Sequence, residues 1–454
     1  MSPLQPLVIS WLAGAALLMF DGRRRVVVVA AAGVAAAVFA LDLLALRQLA
    51  GGAAPFEVVS GGWPTEVGIR LRIDGLSAFF ATICSGVLVV VLVHEALAGV
   101  RFRLFPALIL LMGAGLHGAF ATGDLFNFYV FFELAVVSSF ALAAYGYGRA
   151  EIRGAFVYVV VNLFGSVLFL IGVAGIYGAT GTLDFRALTP AADAEGPSLL
   201  LPSTLIFVAL SLKLGLFPLH GWVPVLYRQA RPPVVAAMTG ALVNLGAYGL
   251  IRMSYTAFDG ARDQAAGVLL ALGALALLYG TVLAVFRKDA AELGGYVSVG
   301  HAGYVVLALG IGGSAGVLAI LLVVLAGSLD KATAFLALDA AGSTRRLAAL
   351  VAAASMAGLP LTAGFAAKAQ LLRAAADAVA GPLVLAAVVA GGVLLLAAAF
   401  RFYRLVRDSS PRDRARGLAT GVLAAAVVAL GLAAEPVVRA AIVIGDQVVR
   451  GDAP

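Results

Sequence analysis

The chain has 454 residues, of which 62% are hydrophobic and only 12% charged, with a mean hydropathy of +1.04 and a formal net charge of +7. A soluble domain averages about 45–50% apolar and about 25% charged residues, so this balance excludes a globular domain on a single anchor and specifies a polytopic membrane protein. One cysteine, Cys84, and four scattered histidines, His94, His117, His220 and His301, exclude an internal disulfide and an iron–sulfur cluster, and no histidine pair has metal-ligand spacing.

A membrane-spanning helix needs about 20 apolar residues, and the apolar runs predict about fourteen of them. The first two lie at 3–20 and 26–46, either side of Arg23, Arg24 and Arg25, with no cleavable leader expected ahead of them. The loop at 47–74 ends in "GGWPTEVGIRLRID", whose alternation and turn residues predict a short hairpin on the outer surface. Spans at 75–98 and 104–122 follow. The fifth, at 125–147, belongs to "GDLFNFYVFFELAVVSSFALAAYG", Gly123 to Gly146, and carries Glu133 in its middle. Nine residues separate Glu133 from Asp124, about 13 Å along a helix at about 1.5 Å per residue. Asp124 can therefore reach the outer water while Glu133 lies close to the midplane.

The sixth span, 154–178, holds Asn162 and Ser166, expected to pack or to line water; an acidic, turn-rich outer loop follows at 179–199. The seventh, 200–219, carries Lys213 and runs into "FPLHGWVP", Phe217 to Pro224, with a short helix at 221–230. The eighth, 234–255, contains Asn244, and the ninth is 264–286. The tenth, 296–313, contains His301, and the eleventh, 315–341, contains Asp330 and Lys331. The twelfth, 347–378, is interrupted by "MAGLPLTAGF", Met356 to Phe365, before Lys368; the last two are 381–400 and 417–445.

The basic residues support this order. Alternate loops place nineteen on one side and eight on the other, which makes the richer side cytoplasmic and puts both termini outside. The net positive charge follows from this bias and does not call for nucleic acid. The base type is informative as well. The chain has 27 arginines and four lysines, and three of the lysines, Lys213, Lys331 and Lys368, lie in apolar segments. Arg stays charged in proteins, whereas burial readily moves Lys towards neutrality, so a group meant to gain and lose a proton is Lys. A charge at mid-bilayer costs about 2.5–3.5 kcal/mol even on the milder scale. Two helix breaks, at Pro218 and Pro224 and at Pro360, lie beside Lys213 and Lys368. Breaks in matching positions of two halves point to inverted repeats around an ion path. A bland reading stays open, in which Glu133 and one lysine form an ion pair that locks two helices; it leaves two lysines without a role. His220 and His301 are candidates for the same path, while His94 and His117 read as structural or interfacial.

These segments resemble the antiporter-like membrane subunits shared by multisubunit Mrp cation/proton antiporters, respiratory complex I and membrane-bound hydrogenases. "GDLFNFYVFFELAVVSSF" looks like the family's fifth-helix signature, and "LKLGLFPLHGWVPVLYRQARPPVVAAMTGALVNLGAYGLIRM" is similar to its seventh and eighth helices. "ELGGYVSVGHAGYVVLALG", "AGSLDKATAFLALDAAG" and "GLPLTAGFAAKAQLL" are similar to the tenth, eleventh and twelfth. The wording of the fifth lies nearest the D-type subunits of Mrp antiporters. The resemblance implies an all-α fold of fourteen helices with two inverted five-helix repeats, each with a broken helix. The corresponding division is 1–103 for N-terminal helices and hairpin, 104–255 and 256–410 for the repeats, and 411–454 for a C-terminal helix. It implies that Glu133 pairs with Lys213 and that Lys331 and Lys368 continue a proton axis. Where many relatives carry Lys or His in the eighth helix, this chain has Asn244, which can hydrogen-bond water but holds no proton at neutral pH. The expected function is a proton-translocating subunit of a monovalent cation (Na+)/proton antiporter, with other hydrophobic subunits as partners, no cofactor and no metal. The alternatives are a proton-pumping subunit of a respiratory or hydrogenase complex, and a membrane scaffold whose charges only lock helices.

Overall fold

The computed structural model describes residues 2, 4–62, 68–146, 148–188, 196–256, 258–378, 380–408 and 417–450. They form an almost wholly helical bundle. Helices α1 (Leu4–Leu17) and α2 (Arg25–Ala50) lead to an antiparallel hairpin, β1 (Phe56–Val59) and β2 (Arg70–Ile73), with Phe56 opposite Ile73 and Val59 opposite Arg70. The expected hairpin is therefore present, although 63–67 of the predicted loop lies outside the described residues. Then come α3 (Gly75–Ala98), α4 (Phe105–Ala121), α5 (Leu125–Ala143), α6 (Arg149–Thr180), α7 (Leu200–Leu214), the short α8 (Trp222–Gln229) and α9 (Pro232–Thr256). The second half comprises α10 (Asp259–Phe286), α11 (Ala290–Ile311), α12 (Gly313–Asp339), α13 (Gly342–Ala357), α14 (Ala363–Ala376), α15 (Gly381–Asp408), α16 (Gly417–Leu432) and α17 (Ala434–Arg450).

Among the described residues nine helices are long and apolar enough to cross a membrane, and α16 with α17 makes a tenth candidate bent by 79°. Three shorter apolar helices, α1, α4 and α7, stand beside them. The bend divides the span expected at 417–445 into α16 and α17. Pro436 lacks an N–H, and its ring would collide with the carbonyl of Leu432 four residues earlier, so α16 cannot continue through it. The boundary expected at 410/411, and the arginines at 412, 414 and 416, lie outside the described residues.

Side-chain caps start several helices. Asp74, Asp124 and Asp289 accept from the N–H groups of Ser77, Asn127 and Glu292 at 2.8–2.9 Å, satisfying donors that a helix start leaves open. Asp124 is thus spent on capping α5 and is half-buried. The segments at this end of the bundle are pinned together: Gly123 N donates to Arg70 O, Arg70 pairs with Asp184, and Arg252 on α9 grips Asp74 with two bonds of 2.7 and 2.8 Å.

Helices α10 and α11 lie in backbone contact. A Cβ on Gly273 would collide with Leu307 N, one on Gly280 with Gly300 N, and one on Gly303 with Leu277 N. Small residues allow this approach where lipid offers no hydrophobic drive for helices to associate, and the seam fixes the helix that carries His301. Replacing Gly280 by Val should therefore push the helices apart at a cost of about 1–3 kcal/mol. The check is the thermal midpoint of the purified protein in detergent; an unchanged midpoint would rule out the seam.

Candidate functional site

Both helix breaks end in the same way. At the end of α7, Gly215 takes φ 76°, its N–H donates to Leu212 O at 3.1 Å, and Leu216 N donates to Ser211 O at 2.9 Å. At the end of α13, Gly358 takes φ 77°, its N–H donates to Ser355 O at 2.8 Å, and Leu359 N donates to Ala354 O at 2.9 Å. Each is a left-handed glycine cap with the paired bonds of a Schellman motif, followed within three residues by the proline that prevents resumption of the helix. Pro218 and Pro360 thus lie at breaks as the sequence suggests. Pro224 does not: it sits in the first turn of α8, where a helix has no intrahelical partner for that N–H to lose.

Across each break a side-chain N–H reaches back to a carbonyl of the helix end. Trp222 Nε1 donates to Leu212 O at 3.0 Å, and Lys368 Nζ donates to Met356 O at 2.7 Å. Lys213 itself lies in the last turn of α7. Both breaks therefore bring an ammonium group to the negative end of a helix dipole, where a cation is favoured.

Lys213 is buried, and its Nζ lies over the Phe132 ring, 4.3 Å from the centroid. Glu133, the next residue after Phe132 on α5, acts on Lys213 through space. No ion pair within 4.0 Å joins them among the described residues, and neither Lys213 Nζ nor Glu133 Oε1 has a hydrogen-bond partner. The aromatic face takes the place of the direct contact that the resemblance implies.

Asn244 is held by a distortion that the sequence does not reveal. Residues Met238–Leu242 of α9 form a turn of π-helix, closed by Val243 N donating to Met238 O at 2.9 Å. Such single wide turns interrupt the ordinary ladder and recur at functional sites. Here Asn244 Nδ2 donates to Gly240 O at 2.9 Å, and Ser328 Oγ on α12 lies 2.9 Å from Nδ2 and 3.1 Å from Oδ1. The close approach rests on Gly240, where a Cβ would stand 3.2 Å from Ser328 O.

Two small separate cavities lie beside these groups. One, of about 10 Å³, is lined by Lys213, Phe132, Asn162 and Val243. The other, of about 20 Å³, is lined by Asn244, His301, Lys331 and again Val243. A cavity of about 10–15 Å³ is the smallest that accommodates one water, so the second has room for one between three polar side chains. Gly327 leaves the space into which His301 Nδ1 projects. Asn244, which holds no proton of its own, thus shares its cavity with two protonatable side chains.

The far end gathers more charge. Asp330, 1% exposed, lies within electrostatic reach of both Lys331 and Lys368. The second half therefore has a carboxylate beside its lysines, as the first has Glu133. The sequence signal is an acid in the apolar run "LAGSLDKATAFLAL". Neighbours on a helix diverge, so adjacency to Lys331 alone does not predict a pair; Lys368 from α14 supplies the second partner. His220, by contrast, stands apart from the file, against Phe217, Tyr279 and Tyr296 with ring centroids at 5.7, 4.9 and 6.3 Å.

Two further histidines are paired off this axis. His117 Nε2 lies 2.8 Å from Asp42 Oδ2. His94 Nε2 lies 3.7 Å from Asp339 Oδ2, and His94, Glu95 and Asp339 bring their ligand-type atoms within 4.8 Å of one another, with Tyr145 OH donating to Glu95 at 2.6 Å. Both histidines are buried. The acid partners come from distant helices, which spacing along the chain could not reveal.

The architecture is that of a polytopic helical membrane protein with acidic, lysine and polar side chains in its apolar helices and two helix breaks beside Lys213 and Lys368. The family model described as NADH:quinone oxidoreductase/Mrp antiporter, TM, matches residues 122–394, and the chain belongs to that family. It is 33% identical to the N-type subunit of NADH-quinone oxidoreductase from Desulforudis audaxviator, over 83% of this chain and 79% of that one. It is 27% identical to the D-type subunit of the Na(+)/H(+) antiporter from Alkalihalophilus pseudofirmus, over 98% and 96%. Its fold superimposes on a chain of the Mrp complex from Dietzia sp. with a TM-score of 0.90 at 24% identity, covering 99% and 97%.

Replacing Asn244 by Leu should leave Gly240 O and Ser328 without their partner and fill the shared cavity. The expected cost is about 1–3 kcal/mol, read as a lower thermal midpoint, together with loss of proton-coupled transport in vesicles. Full transport in this variant would remove Asn244 from the path.

Proposed function

We propose that the chain is the D-type membrane subunit of a multisubunit monovalent cation (Na+)/proton antiporter and that it moves protons along Glu133, Lys213, Asn244, His301, Lys331 and Lys368. The observation that carries this reading is the pair of cavities whose linings share Val243, with Lys213 in one and Asn244, His301 and Lys331 in the other. In this scheme Lys213 holds its proton while Glu133 is close and passes it on when Glu133 withdraws. Ordered water at Asn244 bridges to His301 and Lys331. Asp330 then shares the charge between Lys331 and Lys368, and the proton leaves from there. The matched Schellman breaks support two inverted five-helix repeats, 104–255 and 256–410, within fourteen spans, flanked by 1–103 and 411–454. The bias of the basic residues supports a location in the cell membrane with both termini outside the cytoplasm. Partner subunits supply the cation route, so this chain translocates ions and catalyses no bond-making step.

A second reading has one specific observation in its favour: the 33% identity to a protein named for NADH-quinone oxidoreductase. There the same file would run on redox energy delivered by other subunits. Purification of the native complex distinguishes the two, because small hydrophobic antiporter subunits accompany the first and quinone- or cluster-binding subunits the second.

Lys213→Arg keeps the positive charge but holds its proton. Proton-coupled Na+ movement in everted vesicles should fall roughly tenfold or more, with assembly retained. Lys213→Ala should be equally inactive. Activity near that of the unmodified protein in either variant would contradict the proposed role.

A further inference from the structure

The largest cavity among those described lies away from the charged file. It measures about 1030 Å³ and sits at the end of the bundle where α8, α10, α12 and α15 finish and α9, α11 and α13 begin. Six basic side chains line it: Arg228, Arg231, Lys288, Arg345, Arg401 and Arg404. Three acids, Glu151, Asp289 and Asp408, stand against them. Some of the positive charge is already matched, since Arg231 pairs with Glu151 at 3.3 Å and Arg228 with Glu292 at 3.4 Å. Lys288, Arg401 and Arg404 have no acid within 4.0 Å among the described residues. Arg401 uses Nε on Arg287 O at 2.7 Å, which leaves its other nitrogens to face the cavity.

A mouth for sodium or protons would carry the opposite sign, because a net positive lining repels cations. The chemistry suits an anion that accepts several N–H donors, for which phosphate geometry matches arginine. The surroundings specify what carries that phosphate. Val389, Val393, Leu396 and Phe400 follow helical spacing on one face of α15 and are all exposed, Phe400 at 63%. Phe400 also lines the cavity. The apolar stripe therefore starts at the basic cavity and runs along the helix into the span, as acyl chains would.

The geometry points to a site for an anionic phospholipid, with its headgroup phosphate held by Lys288, Arg401 and Arg404 and its chains laid along the α15 stripe. Basic pockets between membrane helices at the leaflet surface hold such headgroups. The site does not depend on the transport reading, because none of these residues belongs to the proton file.

The test uses the purified full-length protein in nanodiscs, with phosphatidylglycerol and phosphatidylcholine as probes and free glycerol phosphate as competitor. Phosphatidylglycerol should bind and raise the thermal midpoint, and phosphatidylcholine should do neither. The Lys288→Gln/Arg404→Gln variant should bind phosphatidylglycerol about thirtyfold more weakly, the loss expected for two basic groups at a membrane surface. A photo-crosslinking phosphatidylglycerol should label unmodified protein at Arg228–Pro232 or Phe400–Leu405, a readout that does not depend on the variant folding. Equal binding of the two lipids, crosslinks elsewhere, or full displacement by glycerol phosphate, which would make the chains irrelevant, would each overturn the assignment.

Discussion

An ammonium group among packed apolar helices must find negative potential to face. The fold supplies it by breaking its own helices. A continuous helix uses its carbonyls internally; one that stops leaves them open and concentrates negative potential at its end. The Gly215 and Gly358 caps create two such ends inside the bundle. Lys213 sits in the last turn of one, and Lys368 bonds a carbonyl of the other. The third lysine, Lys331, lies in an unbroken helix and relies on Asp330 and on the cavity it shares with Asn244 and His301. Removing the breaks would take the helix-end potential from Lys213 and the Met356 carbonyl from Lys368, so helix geometry and charge placement are linked.

The arrangement also accounts for how loosely each charge is held. Lys213 meets an aromatic face instead of a carboxylate, and Glu133 stays beyond ion-pair distance. A tight buried pair would lock both partners, because separating it leaves an uncompensated charge. Neighbouring groups without such a lock suit a proposed relay better than a clamp. The clamps are elsewhere: Arg252 grips Asp74 with two bonds near the C-terminal end of α9, and the glycine seam holds α10 to α11.

Much of this is legible in the sequence, for identifiable reasons. Charges in apolar runs are conspicuous, so Glu133, Lys213, Lys331 and Lys368 stand out, and the breaks at Pro218 and Pro360 are marked by proline and glycine. Other features have no local signal. The π turn at Met238–Leu242 contains neither proline nor a polar run, and it lies where Gly240 packs against Val87, Ser328 and Ala332 on distant helices. The cluster of His94 and Glu95 with Asp339 depends on the same kind of long-range contact. Pro224 is ambiguous in sequence, because a proline starting a helix and one ending it look alike without the cap. The bend after Leu432 is signalled by Pro436, but the surrounding apolar residues mask it.

The central claim is that the buried file carries protons and does not merely lock helices together. The most direct measurement is proton flux through the reconstituted complex bearing Glu133→Gln together with Lys213→Met, alongside its thermal midpoint. The account predicts a midpoint close to that of the unmodified protein, because the two charges are removed together, and a loss of coupled proton flux. Flux at the unmodified level would contradict the account and leave the charges as structural.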